Sequence, residues 1–530
     1  MKRIWNWKYI TLAIFAIYLL TICYIWLILD VDSCDCQGGS PKRPLNEISF
    51  NLRDFKENGV GKNYTKASPK PIKKLSKLVT VIIREFELFE NDIIDTIRSL
   101  LKLDKYIHIL VISDKSPYPP LHLQLAKDFP SSRITTIALH SYPYQPINDS
   151  RPELFIHTDY VLFIPDSARI QASNIRQMIN EHITRPDDLM AMFANEKNVK
   201  CLSSRINLRE WVLQNNRVSI KNRCDILEGF HVLLMSSKLL MKLNHPFSRP
   251  FPYSLYLQTS FKNMKIYAVL NSSLKQEKQL FLDPHNNWKH ETFVLQRLIN
   301  LHKSWGIKKV IYEDGKTDWY GCTKSTTRCF GTVIDDMPEY LYEGRWTPPC
   351  CLENLRETAR HVFKILEKCG VRYWLEGGSL LGAARSGDII PWDYDVDVGI
   401  YEEDIKKCEW LKNSEKQSII DNKGFVWEKA REGDFIRVQF SQTNHLHVDI
   451  FPFYPSKGMM TKHTWFATHK QDIEFPEHYL KPLTKVKFIG TYASAPNNIR
   501  QFLEMKFGKG VIENPEYPNP QKLKFPSKNP

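Results

Sequence analysis

The stretch PWDYDVDVGI, positions 391–400, sets Asp393, Asp395 and Asp397 two residues apart in a run whose other positions are mostly apolar. In a strand, alternate side chains share one face, roughly 7 Å apart. The pattern therefore predicts a strand with three acids on one face and Tyr394, Val396 and Val398 on the other. Asp is a poor strand former, and crowded carboxylates raise one another's pKa. A divalent cation among them relieves that repulsion. Upstream, Gly377-Gly378-Ser379 precedes LLGAAR, which reads as a short helix; downstream, Asp449 sits in HLHVDIFPF. A glycine turn entering a helix offers free N–H groups to an anion. Mg²⁺ prefers one or two carboxylates together with substrate phosphates and water. Turn, Asp-x-Asp and later Asp point to metal-dependent transfer from a nucleotide-activated phosphate. The bland alternative is an acidic strand face that binds nothing.

The chain has 530 residues, too long for one core, so two or more domains are expected. Tyr9–Leu29 is a charge-free run of 21 residues, roughly 30 Å as a helix and enough to span a bilayer core. Lys2, Arg3 and Lys8 precede it, and Asp30 and Asp32 follow. Positive residues stay in the cytosol, so the reading is an uncleaved type II signal-anchor with the rest of the chain lumenal. That placement excludes nucleic acid as the partner for the formal charge of +14. It also gives meaning to the sequons at Asn63, Asn148 and Asn271 as glycosylation sites. The organisation expected is a cytosolic tail (1–8), an anchor (9–29), a Pro/Gly/Lys-rich stalk (30–76), an α/β domain (77–318) and a catalytic α+β domain (319–530).

From Leu78 the chain alternates strand and helix patterns. LVTVII, YIHILVIS, ITTIAL and DYVLFIPDSARI read as strands, with a helix over Glu90–Leu103. The order predicts a parallel, Rossmann-type sheet and resembles the nucleotide-sugar half of GT-A glycosyltransferases. Where that family carries a metal-binding Asp-x-Asp, this chain has Pro165-Asp166-Ser167. The domain is therefore expected to be a non-catalytic, GT-A-like stem. Further on, LENLRETARHVFKILEKCG is a helix with Leu352, Leu355, Ala359, Val362, Phe363 and Leu366 on its apolar face and Gly370 at its stop.

The second half carries CCLENLRETAR, VRYWLEGGSLLGAARSGDIIPWDYDVDVGI, NHLHVDIFPFYP, EFPEHYL and APNNIRQFLEMKFGKGVIENPEYPNP. These motifs resemble the LicD-type phosphotransferase family, with its nucleotidyltransferase-like domain, and within it the fukutin-related proteins. The resemblance implies a Golgi-membrane transferase that moves ribitol 5-phosphate from CDP-ribitol to the phosphorylated O-mannosyl glycan of dystroglycan. It implies Mg²⁺ (or Mn²⁺) on Asp395 and Asp397, and Asp449 as acceptor of the hydroxyl proton. Asp393 would complete or orient the metal shell, and Gly378 and Ser379 would contact phosphate. Arg437, on the FIRVQF strand, would either contact phosphate or form a structural ion pair. His445, His447 and Asp449 share a strand face and could form a transition-metal site; the preferred reading packs the histidines behind the carboxylates. Transfer of another CDP-activated phosphate such as phosphocholine, and a non-catalytic glycan-binding scaffold, are the alternatives. A homo-oligomer is expected.

Eleven cysteines in an oxidising lumen make disulfides the default. Cys201 and Cys224 are the only two of the stem and are expected to pair; Cys34 and Cys36 suit an intermolecular bridge. Cys369 and Cys408 read as buried thiols. Cys322, Cys329, Cys350 and Cys351 read from spacing as two disulfides. The family resemblance implies instead a structural Zn²⁺ on all four, with Arg328 and Tyr340 of that loop touching an acceptor phosphate.

Overall fold

The computed structural model describes residues 74–518, except 119, 121–132, 141, 195, 220–222, 270–273, 329, 335–336 and 467–468. The expected anchor, most of the stalk, Asn63, Asn271 and Cys329 lie outside the described residues. Among the described residues no helix is long and apolar enough to cross a membrane.

The first half is built on β1 (Val79–Ile83), β2 (His108–Ser113), β3 (Ile134–Ala138), β4 (Tyr160–Phe163), β5 (Leu189–Phe193), β6 (His231–Ser236) and β7 (Ile266–Val269). They order as 3-2-1-4-6-5-7, with only β6 antiparallel to its neighbours. Of the apolar runs read as strands, LVTVII, YIHILVIS and DYVLFIPDSARI give β1, β2 and β4, covered on both faces, β1 at every position. ITTIAL gives the edge strand β3, in which only Ile137 is buried, and the fully buried β5 lies outside those runs. The helix expected over Glu90–Leu103 is Ile93–Leu103, with Ile93, Ile97 and Leu100 buried on one face. A second, five-stranded sheet includes Lys200–Asn207 and Val212–Val218. Asn148 is exposed.

The carboxyl ends of β1 and β2, where a nucleotide would enter such a sheet, are filled by charge. Arg84, which is buried, pairs with Asp114; Arg249 pairs with Glu85, Glu87 and Asp114, and Arg297 with Glu87. Asp166 is also buried and accepts the Asp92 N–H with both oxygens at 3.0 Å. Burial pushes its carboxyl up to about 6.

The second half centres on a sheet running β8 (Tyr373–Leu375), β9 (Val396–Tyr401), β13 (His447–Ser456), β12 (Ile436–Gln439), β11 (Val426–Lys429) and β10 (Ile419–Ile420). β9 and β13 are parallel and the other pairings antiparallel. The helix Pro349–Lys368 buries Leu355, Ala359, Val362 and Leu366 completely and Phe363 almost so. Each large apolar side chain so buried contributes about 1.5–3 kcal/mol. The helix stops at Gly370, whose φ of 68° needs glycine, with Val371 N–H donating back to Leu366 O. Two core clusters draw on Leu75–Tyr320, and a third on Cys322–Tyr517 plus Trp211. Trp211 joins them: its Nε1 donates to Trp346 O at 2.8 Å, and the Arg345 guanidinium lies 3.2 Å from its ring centroid.

Candidate functional site

A cavity of about 1680 Å³ opens over the amino-terminal ends of β9 and β13. Its wall includes Gly377, Gly378, Asp393, Asp395, Asp397, Arg437 and Asp449. The helix expected after the glycine turn begins within it and spans Gly377–Ser386. Glu376 is extended and Gly377 has φ +52°, so the chain turns sharply into the helix. A Cβ on Gly378 would stand 2.8 Å from Asp393 Oδ2, and one on Gly377 3.6 Å from Asp397 Oδ2. The glycines therefore let the turn press directly on the acids. Two hydrogen bonds fasten it: Glu376 N–H donates to Asp397 O at 3.1 Å, and Asp397 N–H to Ser379 Oγ at 2.9 Å.

The strand is shorter than the alternation predicted. Only Asp397 lies in β9; Asp393 and Asp395 stand in the loop before it. That loop is held by backbone contacts, Asp393 N–H to Ile390 O at 2.9 Å and Thr347 Oγ1 to Asp393 O at 2.6 Å. The three carboxyls still converge. All three have pKa values raised above the usual carboxylate range, first by burial. Neighbouring carboxylates add to the rise: Asp395 for Asp393 and Asp397, and Asp449 for Asp395. Among the described residues no three His, Cys, Asp or Glu side chains already enclose a metal. An ion shared between one or two of these acids and substrate phosphates needs no such protein cage.

Register sets the rest. Asp397 lies opposite Asp449 in the β9–β13 pair, and Asp449 opposite Arg437 in the β12–β13 pair. Arg437 holds both oxygens of Asp449, Nε to Oδ1 and Nη2 to Oδ2 at 2.8 Å each, and its Nη1 reaches Glu432 at 2.7 Å. Of the two roles expected for Arg437, the structure shows the ion pair. With both oxygens engaged by the guanidinium fork, Asp449 is committed to an ion pair and not turned toward an acceptor hydroxyl.

His445 and His447 line the cavity rather than packing behind the acids. His447 Nδ1 lies 2.9 Å from His445 O, a group that only accepts, so Nδ1 donates there and Nε2 is the ring nitrogen turned away from that backbone contact. That Nε2 is 3.7 Å from Asp449 Oδ2.

Two further placements differ from expectation. Ser379 is buried with its hydroxyl spent on the Asp397 backbone, so it positions the strand and does not face phosphate. Tyr340 is buried too, its hydroxyl 3.1 Å from Thr347 Oγ1, away from the cavity wall that Arg328 does reach. The sequence reading missed Glu376, Lys462, His469 and Lys506. Lys506 pairs with Glu376, both buried, and Trp374 Nε1 donates to Glu376 Oε2 at 2.8 Å. Its signal was visible: in QFLEMKFG it stands four residues after Phe502, on the helix's core face. Lys462 lies 2.8 Å from Asp472 and 4.3 Å from the Phe451 centroid, a tertiary enclosure with no local signature.

The family model of the fukutin-related protein stem domain matches residues 66–313, and that of the LicD/FKTN/FKRP nucleotidyltransferase domain residues 370–498. Ribitol 5-phosphate transferase FKRP of Mus musculus is 47% identical over 87% of this chain and 93% of its own length. The Homo sapiens protein of the same name is 47% identical over 84% and 89%. The chain belongs to the fukutin-related protein family. Ribitol-5-phosphate transferase FKTN of Homo sapiens is more distant, 26% identical over 32% of this chain and 36% of its own.

Against the expectation for this family, Cys322 and Cys350 are joined in a disulfide, with Cα atoms 5.6 Å apart, and Cys351 is disulfide-bonded as well. Sulfurs so bonded have no thiolate to give a zinc ion. Cys369 and Cys408 are also a disulfide rather than two thiols, because the loop after β9 brings Cys408 to the end of the Pro349–Lys368 helix. Cys201 and Cys224 are joined across the stem, 23 residues apart.

Proposed function

We propose that this chain is a Golgi ribitol-5-phosphate transferase using Mg²⁺ or Mn²⁺. It moves ribitol 5-phosphate from CDP-ribitol to the phosphorylated O-mannosyl glycan of dystroglycan, adding a second ribitol phosphate and releasing CMP. The observation that carries the reading is the pinning of Asp397 between the glycine turn and the Asp449–Arg437 pair, at the wall of a large cavity. The names of the two FKRP relatives support ribitol phosphate as the group moved. The raised carboxyls of Asp395 and Asp397, crowded beside glycines that leave room for a ligand, fit a divalent ion. When bound, it would neutralise the donor diphosphate and the departing CMP.

The chain's own residues supply the rest. Gly377 and Gly378 offer an unobstructed backbone approach to the diphosphate. Asp393 braces the metal acids from the loop, and Asp449, locked by Arg437, holds the sheet in register beneath them. His447 Nε2 takes the acceptor hydroxyl proton as the oxygen attacks the ribitol-bearing phosphorus. Arg328 faces the acceptor. The stem, its nucleotide crevice filled by ion pairs, serves without catalysis.

Incubating the full chain with CDP-ribitol, CDP-choline or ATP, with and without a phosphorylated O-mannosyl glycopeptide, tests this reading. Acceptor-dependent CMP release from CDP-ribitol alone is expected; equal turnover of CDP-choline would overturn the donor assignment. His447→Asn should lower kcat about 100-fold while leaving donor KM nearly unchanged. A kcat within threefold of wild type would remove His447 from the mechanism.

The same reading gives the cysteine loop a structural zinc when its sulfurs are reduced, since Cys₄ is a closed tetrahedral set. Elemental analysis should then find one zinc per chain, lost in Cys322→Ser. Mass mapping of a Cys322–Cys350 bond in zinc-free, active protein would instead uphold the disulfide. The lumenal placement predicts that the catalytic half resists protease in sealed Golgi vesicles and is cut only after detergent; digestion without detergent would reverse the topology.

A further inference from the structure

After its internal ion pairs are set aside, the cavity holds two kinds of uncompensated charge. On one side are the three carboxyls of Asp393, Asp395 and Asp397. On the other are cations without an acid. Arg437 is neutralised by Asp449 and Glu432, and Lys462 by Asp472. Arg385 and Lys509 also line the cavity, and among the described residues neither has an ion-pair partner. Arg385 is half-buried; its Nη2 donates to Val511 O at 2.6 Å, and its Nε is buried with no hydrogen-bond partner. An unsatisfied guanidinium donor is expensive to bury without a ligand. Burial alone lowers its pKa, and no acid counters it. Glu516 stands on the same wall, exposed.

Gly378, Leu381 and Arg385 face the cavity from one side of the Gly377–Ser386 helix, at helical spacing. Gly378 and Arg385 are seven residues apart, roughly 10 Å along the axis. A diphosphate seated on the glycine turn does not extend that far. We propose that Arg385 and Lys509 form a second phosphate subsite, which binds the phosphate already present on the acceptor and orients the acceptor hydroxyl toward the donor. The proposal rests on the transferase reading above and deepens it: it gives a physical basis for requiring a phosphorylated acceptor. With Nη2 given to Val511 O and Nε buried, Arg385 turns Nη1 to the cavity for a phosphate, and Lys509, exposed at the rim, adds a point charge.

The test measures KM for donor and for phosphorylated acceptor in the full chain and in Arg385→Gln and Lys509→Gln. Acceptor KM should rise at least tenfold in the first and about threefold in the second, with donor KM changed less than twofold. Arg385→Lys should recover part of the loss. Inorganic phosphate should compete with the acceptor in the wild type, and more weakly in both variants. Lys509 is exposed, so its variant remains informative if Arg385→Gln folds poorly. An unchanged acceptor KM in Lys509→Gln and Arg385→Lys, or an equal rise in donor KM, would overturn the subsite while CMP release upheld the transferase. Were the wild type to transfer nothing, the transferase reading would fall; direct titration with inorganic phosphate would still decide the subsite, equal affinity in wild type and variants refuting it.

Discussion

Asp397→Asn is expected to lower transfer roughly 1,000-fold, the scale of removing one central electrostatic contact, yet to leave the domain at least as stable as the parent. The two effects have one cause. The native pKa of Asp397 is raised, first by burial and then by Asp395, Asp449 and Asp393. A carboxyl with a raised native pKa binds its proton more tightly folded than unfolded. Its contribution to stability is therefore greatest at low pH and falls as pH rises through the unfolded carboxylate range, near 4, toward the native value. Above the unfolded carboxylate range this buried carboxyl is therefore a cost to the metal-free protein, and the amide removes it. The Ser379 hydroxyl binds the backbone N–H of residue 397, so the strand keeps its place in the variant. Asp395→Asn should behave alike, since burial again leads the causes of its raised pKa. Rates with saturating metal, set beside thermal midpoints in its absence, check this. Near-normal turnover, or a large drop in melting temperature, would refute a site that sacrifices stability for charge.

Lys506→Met should produce the largest loss of stability, about 3–5 kcal/mol, because it strands the Glu376 carboxylate inside the protein. Glu376 keeps only the Trp374 indole N–H as a side-chain partner, and its backbone begins the glycine turn. The turn should loosen, and donor KM should rise with the loss of stability. Glu376→Gln with Lys506→Met removes both charges and should recover at least half of the loss, since the Met can pack between Phe475 and Phe502, over whose rings the ammonium now lies. Urea unfolding of both variants tests it. A single-variant loss below 1 kcal/mol would show that water reaches the pair.

Some features follow from local pattern alone. The apolar β-branched runs LVTVII and YIHILVIS became buried parallel strands, because no other short element hides both faces of such a run, whereas ITTIAL lies at the sheet edge and buries only Ile137. The helix before Gly370 was legible in its apolar spacing and its stop. The glycine turn and its acids were legible because so few local structures tolerate Gly-Gly beside clustered Asp. Alternation nevertheless overstated the strand: Asp393 and Asp395 leave it, since converging on one point needs a loop, whereas a strand would space them evenly. Partnership was decided only in three dimensions. Arg437 meets Asp449 through a pairing register set by the whole sheet, Ser379 turns inward to the Asp397 backbone, and Lys506 crosses 130 residues of chain to reach Glu376. Each is a long-range contact between ordinary-looking residues, and local sequence carries no energy term for it. Charge, turn chemistry and hydrophobic period are properties of neighbouring residues and can be read from sequence; which acid keeps its negative charge for a ligand depends on which cations the fold has already assigned to the others.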